Sequence, residues 1–326
     1  MPRPKLKTAC HALLCLALAS ALLLVGCGKT ENADPPRGTA SPASTAAQSA
    51  TPSHAARPNT PVVLTPTADG TEVYGGAAAQ IDASHKDKGY IMVNYTGSNA
   101  KVKLQITTPD NTKYTYTLHG GWEVFPLTAG SGSYQCNVFE NISGTDYAYA
   151  LSQTISAEIT DEFSPFLYPN QYVNFNAESR TVAKGAELAE GAANDLKVVD
   201  AVYNYVVSHT AYDYEKAESV QSGYLPDVDK ILDSGTGICF DYSAVMTTML
   251  RTQGIPTRLD VGWAGDIYHA WISVYISDVG WINGIIEFDG SGWHRMDPTF
   301  ASNEKQSKSI MKFIADDGNY NIKYVY

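Results

Sequence analysis

Residues Gly237–Gly254 read GICFDYSAVMTTMLRTQG, a pattern that predicts a helix with a cysteine at its start. Apolar side chains recur every three or four residues from Tyr242 to Leu250, which is typical of a helix with one buried stripe. Gly254 supplies a stop signal, because glycine commonly ends helices. We therefore place Cys239 in or just before the first turn, where the positive end of the helix dipole favours the thiolate, the nucleophilic form of cysteine.

A base for this nucleophile is offered by the segment 268–276, which alternates like a β-strand. One face carries small or aliphatic residues and is predicted to be buried, whereas His269 and Trp271 fall on the other face. Asp297, at the end of the strand-like run 293–299, could orient the imidazole. The order cysteine, histidine, aspartate suits a helix followed by neighbouring antiparallel strands that bring the three side chains together.

These three motifs together resemble the catalytic core of the transglutaminase-like superfamily. They are the Gly-x-Cys sequence at Cys239, the strand sequence His269-Ala270-Trp271 and the ending Asp297-Pro298-Thr299. The resemblance covers roughly residues 194–300. It implies an α+β, papain-like core in which Cys239 attacks an amide carbonyl, His269 is the base and Asp297 orients it. Some members transfer the acyl group to an amine, some hydrolyse peptide bonds, and some have lost the triad.

Three aromatic residues are candidates for the oxyanion site or the cleft. Proteins similar to this one often carry a Tyr-Asp pair before the catalytic cysteine, and this chain has Tyr212-Asp213-Tyr214 there. The resemblance implies that the hydroxyl of Tyr212 or Tyr214 helps the backbone N–H of Cys239 to stabilise an oxyanion. Trp271 shares the strand face of His269 and is a candidate for the cleft wall. Ordinary packing is the alternative for all three side chains.

The N-terminal segment has the pattern of an export signal. Basic residues precede an apolar run over residues 9–25, and the run contains no acidic residue. It ends in Leu-Val-Gly-Cys, which resembles the bacterial lipobox, so Cys27 is the predicted lipidation site. A single transmembrane helix is the alternative interpretation. We expect a protein of the bacterial cell envelope, anchored by lipid outside the cytoplasmic membrane.

The rest of the chain divides by composition into three parts. Residues 28–60 are dominated by Ala, Ser, Thr and Pro and predict a disordered tether after the signal at 1–27. Residues 61–160 predict an all-β domain, and residues 161–326 the transglutaminase-like domain. Helices are expected over 183–193 and 194–208, and a closing hairpin over 310–326.

Short strands separated by turn signals favour an immunoglobulin-like β-sandwich in the all-β part. The fold class predicted for the whole chain is therefore an α+β, papain-like core preceded by this sandwich. The predicted strands are 90–96, 101–107, 113–118, 122–127, 134–141 and 147–159.

Cysteine usage and charge exclude several function classes. After loss of the signal and lipidation, only Cys136 and Cys239 remain in the folded part, which is not a disulfide framework. A bridge between them is conceivable but nothing in their flanks favours it. The chain has no CxxC, no HExxH and no clustered ligand set, so we expect no catalytic metal and no cofactor. A net charge of −11 without a basic stripe argues against nucleic acid as a partner.

The expected function is therefore that of a surface-anchored thiol enzyme. Its substrate would be a peptide, protein or cell-wall amide, and its membrane contact the N-terminal lipid. Hydrolysis through a thioester is favoured, because a tethered surface protein faces bulk water and the sequence shows no dedicated amine site. Two alternatives stay open, a protein-glutamine transglutaminase and a non-catalytic module that binds peptide or cell wall.

Overall fold

The structure is a computed structural model. It describes residues 57–277, 279–283, 285–288, 293–296 and 320–326. The described residues form one compact unit. Among the described residues, no helix has both the length and the apolar character needed to cross a membrane. The predicted signal, Cys27 and most of the tether lie outside the described residues, as does Asp297, and the predicted domain boundaries stay predictions.

Residues 73–157 form two four-stranded antiparallel sheets. The first has the order β1-β2-β3-β6 and the second the order β5-β4-β7-β8. The strands are β1 Val73–Gly75, β2 Ala79–Asp82, β3 Tyr90–Tyr95, β4 Val102–Thr107, β5 Lys113–Leu118, β6 Gly121–Pro126, β7 Gly132–Ser143 and β8 Asp146–Ala157.

The six predicted strands are confirmed, with ends that differ slightly, because their alternation is strong. In β4, for example, Val102, Leu104 and Ile106 are buried while the residues between them are half-buried. Most buried apolar residues of both sheets belong to one hydrophobic cluster. Strands β1 and β2 were not predicted, since three or four residues give too short a pattern. The region is thus rich in sheet, and its immunoglobulin-like architecture stays a prediction.

Helices follow in the second half of the described chain. They are α1 Arg180–Leu188, α2 Asp195–His209, α3 Tyr214–Ser219, α4 Val228–Ser234 and α5 Cys239–Arg251. Helix α2 confirms the prediction closely, and Asn194 caps it by accepting a hydrogen bond from the N–H of Lys197 at 3.1 Å. Helix α1 begins and ends earlier than predicted.

Helix α5 is the centre of this half. The prediction of one buried stripe was wrong, because every residue from Asp241 to Arg251 is buried. Helix α1 packs so closely that a Cβ on Gly185 would lie 3.0 Å from the Cα of Met249. Even the polar threonines of α5 are enclosed, so the polar positions that seemed to mark a solvent face lie instead against neighbouring elements.

A second antiparallel sheet region packs beside α5. A four-stranded sheet has the order β13-β12-β11-β16, β14 pairs with β15, and β10 pairs in parallel with β9. The strands are β9 Ala211–Tyr212, β10 Thr236–Gly237, β11 Thr257–Ala264, β12 Ile267–Ile276, β13 Gly280–Asn283, β14 Ile285–Phe288, β15 Trp293–Met296 and β16 Tyr320–Val325. The strand of the predicted C-terminal hairpin that is described, β16, pairs with β11, and residues 310–319 lie outside the described residues.

Arg251, in the last turn of α5, connects the helix to neighbouring segments by hydrogen bonds. It is 1% exposed. Its guanidinium donates to the carbonyl oxygens of Tyr168 at 2.6 Å, Tyr326 at 2.8 Å and Thr257 at 2.9 Å. These bonds hold α5 against the start of β11 and the residue that follows β16, which fixes the helix relative to the sheet that carries His269.

Candidate active site

Cys239 is the first residue of α5, as the sequence predicts. The chain arrives through β10, whose Gly237 pairs with Tyr212 of β9, and Ile238 is extended before the helix begins. The Cys239 side chain is half-buried and its thiol is free. Because the first N–H groups of a helix lack intrahelical acceptors, the backbone around Cys239 presents donors and positive dipole character to an anion.

His269 lies on β12, opposite Gly262 of β11 in the antiparallel register. It is 5% exposed. Its ring stacks on that of Trp271, with 6.4 Å between ring centroids and 23° between the planes. The predicted division of this strand into a buried and an open face was wrong, because every residue from 269 to 274 is buried. A buried, stacked imidazole has few accessible orientations, which suits a fixed base.

Cys239 and His269 line one cavity of about 380 Å³. The cavity lies where the first turn of α5 meets β12, and the segment 217–224 forms another of its walls. The remaining lining residues are Tyr172, Tyr212, Ile238, Phe240, Val261, Tyr268, Ala270 and Tyr326. Cys239 and His269 are the residue types that supply a nucleophile and a base in thiol catalysis, and both line this one cavity.

The predicted third member, Asp297, lies outside the described residues. Strand β15 spans Trp293–Met296, which confirms a strand over the described part of the predicted run 293–299. Strand β15 pairs with β14, with Ile285 opposite Met296. The role of Asp297 itself stays a prediction.

The three aromatic candidates have different positions. Tyr212 lines the cavity. Tyr214 does not line it and is 64% exposed, although its ring contacts that of Tyr212 in an edge arrangement at 5.0 Å. Trp271 does not line it either, because the ring is 1% exposed and packs beside His269. The expected cleft position is therefore found for Tyr212 and not for Tyr214 or Trp271.

Sequence reasoning missed a polar cluster next to the cysteine, formed by Lys216, Tyr224 and Asp241. The Asp241 carboxylate is fully buried and forms an ion pair with Lys216. It also accepts hydrogen bonds from the Tyr224 hydroxyl at 2.6 Å and the Ile238 N–H at 2.9 Å. The position of Asp241 in the first helical turn was a visible capping signal. Its partners lie far upstream in sequence, so no local pattern indicates them.

The tyrosines around the cavity are held in the neutral form. Burial raises the pKa of Tyr172 to about 12 and also raises the pKa of Tyr268. Burial and the hydrogen bond to Asp241 raise the pKa of Tyr224. Near neutral pH these hydroxyls can donate hydrogen bonds but carry no charge. Within the described ranges, no group of three or more His, Cys, Asp or Glu side chains is arranged to hold a metal ion.

Residues 182–298 match the family model described as the transglutaminase-like superfamily. The resemblance inferred from the sequence is thereby confirmed, and this segment has the transglutaminase-like, papain-like fold. The matched range contains α5 with Cys239, β12 with His269, and Asp297.

The individual proteins that this chain is similar to have low sequence identity to it. The protein YebA of Bacillus subtilis is 21% identical over 182 residues, which cover 49% of this chain and 25% of YebA. The chain thus spans about a quarter of the length of that relative. The periplasmic domain of TgpA from Pseudomonas aeruginosa is 16% identical, with 74% of this chain and 99% of that chain covered and a TM-score of 0.33. Red sea bream transglutaminase is 15% identical, with coverages of 70% and 54% and a TM-score of 0.27.

Proposed function

We propose that this protein is a thiol enzyme that acts on peptide or protein amide bonds through Cys239, His269 and Asp297. One observation carries the proposal: Cys239, at the start of α5, and the buried imidazole of His269 line the same cavity. The match of residues 182–298 to the transglutaminase-like superfamily supports it, since that superfamily includes enzymes with this chemistry. Asp297 would orient the imidazole of His269.

In the first half of the reaction the Cys239 thiolate attacks the amide carbonyl carbon. A sulfur–carbon bond forms and the carbonyl oxygen becomes an oxyanion, which the backbone N–H of Cys239 stabilises. Tyr212 lines the same cavity, and its hydroxyl is a candidate second donor. The carbon–nitrogen bond then breaks, the leaving amine takes a proton from the His269 imidazolium, and a thioester remains.

In the second half His269 accepts a proton from water as the water oxygen attacks the thioester. The sulfur–carbon bond breaks, which restores the Cys239 thiolate beside the His269 imidazolium, and the carboxylic acid product loses its proton to solvent to become a carboxylate. A primary amine in place of water would give a new amide, which is the transglutaminase outcome. We favour hydrolysis, because a surface-anchored enzyme meets water at far higher concentration than any amine.

The anchoring is also part of the proposal. The basic and apolar N-terminus with its lipobox-like ending supports export and lipidation at Cys27, and residues 28–60 supply a tether. A lipid on Cys27 would place the enzyme in the cell envelope, close to peptide and cell-wall amides.

The activated thiol is tested by alkylation with iodoacetamide across a pH series, read at Cys239 by peptide mass spectrometry. We expect the rate constant near pH ~6 to be at least about tenfold higher in the wild type than in His269→Ala, because the imidazolium stabilises the thiolate. Cys239→Ala controls for labelling elsewhere. Equal rates in the wild type and His269→Ala, both typical of an ordinary thiol, would instead indicate a non-catalytic binding module.

The reaction is tested with casein, which carries many glutamine side chains, in the presence and absence of a fluorescent primary amine. Hydrolysis releases new termini or free ammonia without incorporating the amine. Amine incorporation that is lost in Cys239→Ala would establish the transglutaminase alternative. Peptide cleavage that persists in Cys239→Ala would exclude Cys239 as the nucleophile.

A further inference from the structure

We propose that the cavity at Cys239 binds an uncharged apolar or aromatic group of the substrate, against a wall formed by residues 217–224. We further propose that Lys216, Tyr224 and Asp241 hold this wall in place and so act as positioning residues. The inference deepens the proposed function and rests on it only in taking the Cys239 sulfur as the reacting atom.

The first observation is the chemistry of the lining. Six of its fifteen residues are Tyr or Phe, and Tyr172 is in edge contact with Phe240 at 5.3 Å and with Tyr326 at 4.7 Å between centroids. At the rim, the rings of Tyr268 and Trp263 contact each other at 5.4 Å, and both side chains are about half exposed. Such rings offer flat apolar surface that favours another ring or an aliphatic group.

The second observation concerns charge. Among the lining residues in the described part of the chain, none is Asp, Glu, Lys or Arg. Burial raises the pKa of Tyr172 and Tyr268, so these hydroxyls add no charge near neutral pH. Apart from the reacting pair Cys239 and His269, the lining therefore offers a charged substrate group no counter-ion, and a charge held against the wall would lose its water without compensation, which is costly. An uncharged group carries no such cost, and the volume of about 380 Å³ is within the range of small-ligand sites.

The third observation is that apolar packing does not hold the wall. Helix α3 has no buried residue. In the segment that follows, Val220 is 37% exposed and Gln221 is also exposed. A six-residue helix without an apolar anchor is marginal by itself. The wall therefore needs polar attachments to keep a defined shape.

Those attachments converge on Asp241. Lys216 in α3 and Tyr224 at the end of the wall both bond to its buried carboxylate, and Lys216 donates to the Tyr224 hydroxyl at 2.6 Å. The same carboxylate accepts the N–H of Ile238, the residue before Cys239. One buried group thus ties the wall to the helical turn that carries the sulfur, so losing an attachment displaces the wall relative to the reacting atom.

The binding preference is measured with three thiol reagents: iodoacetamide, its N-phenyl derivative and its N-(para-carboxyphenyl) derivative. Rate constants are read at Cys239 in the full chain by peptide mass spectrometry and divided by the rate constants of the same reagents with N-acetylcysteine. We expect the phenyl reagent to be favoured about tenfold over iodoacetamide, as burial of a ring predicts. The carboxyphenyl reagent should lose most of that advantage.

The positioning role is measured with Tyr224→Phe, which removes only a hydroxyl, and with Lys216→Met, a residue that does not line the cavity. We expect most of the roughly tenfold preference for the phenyl reagent to be lost in each variant, because a displaced wall no longer buries the ring. Tyr149→Phe, an exposed tyrosine on β8, is the matched control and should keep the wild-type preference. Thermal unfolding followed by circular dichroism establishes that each variant is folded.

Two outcomes overturn the inference. Equal normalised rates for the phenyl and carboxyphenyl reagents in the wild type refute an uncharged, apolar site. A preference that survives in both Tyr224→Phe and Lys216→Met refutes the positioning role. Failure of the proposed catalytic function would look different, since an ordinary thiol at Cys239 lowers the rates of all three reagents and leaves their ratios unchanged.

Discussion

Ionisation of Asp260 should make the folded protein less stable as the pH rises from acidic to neutral. Asp260 lies on β11 and is completely buried. It accepts a hydrogen bond from the Ser273 hydroxyl, and its other oxygen has no hydrogen-bond partner among the described residues. Burial raises the pKa of Asp260 from 3.8 to about 6, although Ser273 and the charge of Arg258 act in the opposite direction.

The size of the effect follows from these values. The folded state binds the proton more tightly than the unfolded state, so the contribution of Asp260 is fully present below pH 3.8 and is lost as the pH rises through about 6. The whole change corresponds to about 3 kcal/mol, and about 2 kcal/mol of it falls between pH ~4.5 and ~7.

The assay is urea unfolding of the wild type and Asp260→Asn at both pH values. Asparagine cannot ionise, so the variant lacks this term, while the other titrating groups cancel in the comparison. We expect the difference in free energy of unfolding between the two proteins to change by about 2 kcal/mol, with the variant gaining relative stability at the higher pH. A constant cost of the buried amide does not affect this change. A difference that stays within about 0.5 kcal/mol across the series would refute the reasoning.

Three further predictions concern packing and the second free thiol. Arg251→Met should lower the free energy of unfolding by about 3 kcal/mol, because three backbone carbonyls, two of them in buried hydrogen bonds, lose a charged donor. A loss under about 1 kcal/mol in urea unfolding would contradict this. Gly262→Ala should lower the free energy of unfolding by about 2 kcal/mol in the same assay, since the added Cβ would lie 2.0 Å from the backbone oxygen of Asn321. The control Gly76→Ala, whose added Cβ meets nothing within 4 Å, should leave the free energy of unfolding unchanged. Cys136 should resist iodoacetamide in the folded protein and react after unfolding, because burial raises the pKa of its thiol to about 12. Labelling of Cys136 in the native protein would contradict its burial.

The sequence by itself determined the local elements and the class of chemistry. Period-two alternation identified six of the eight strands of the first two sheets, and the entry to α5 placed Cys239 at a helix start. Both features are local, because consecutive residues determine whether a segment forms a strand or begins a helix. The strand that carries His269 was predicted for the same reason, and it is confirmed as β12.

Tertiary structure decided which side chains share a site. The sequence could not show that α5 is buried all round, that Trp271 lies beside His269 and away from the cavity, or that Asp241 binds Lys216 and Tyr224. Each of these contacts depends on which elements pack together. The periodicity of a segment does not indicate which residues of other elements its side chains contact. The cavity around Cys239 likewise exists only because packing brings distant segments of the chain to one place.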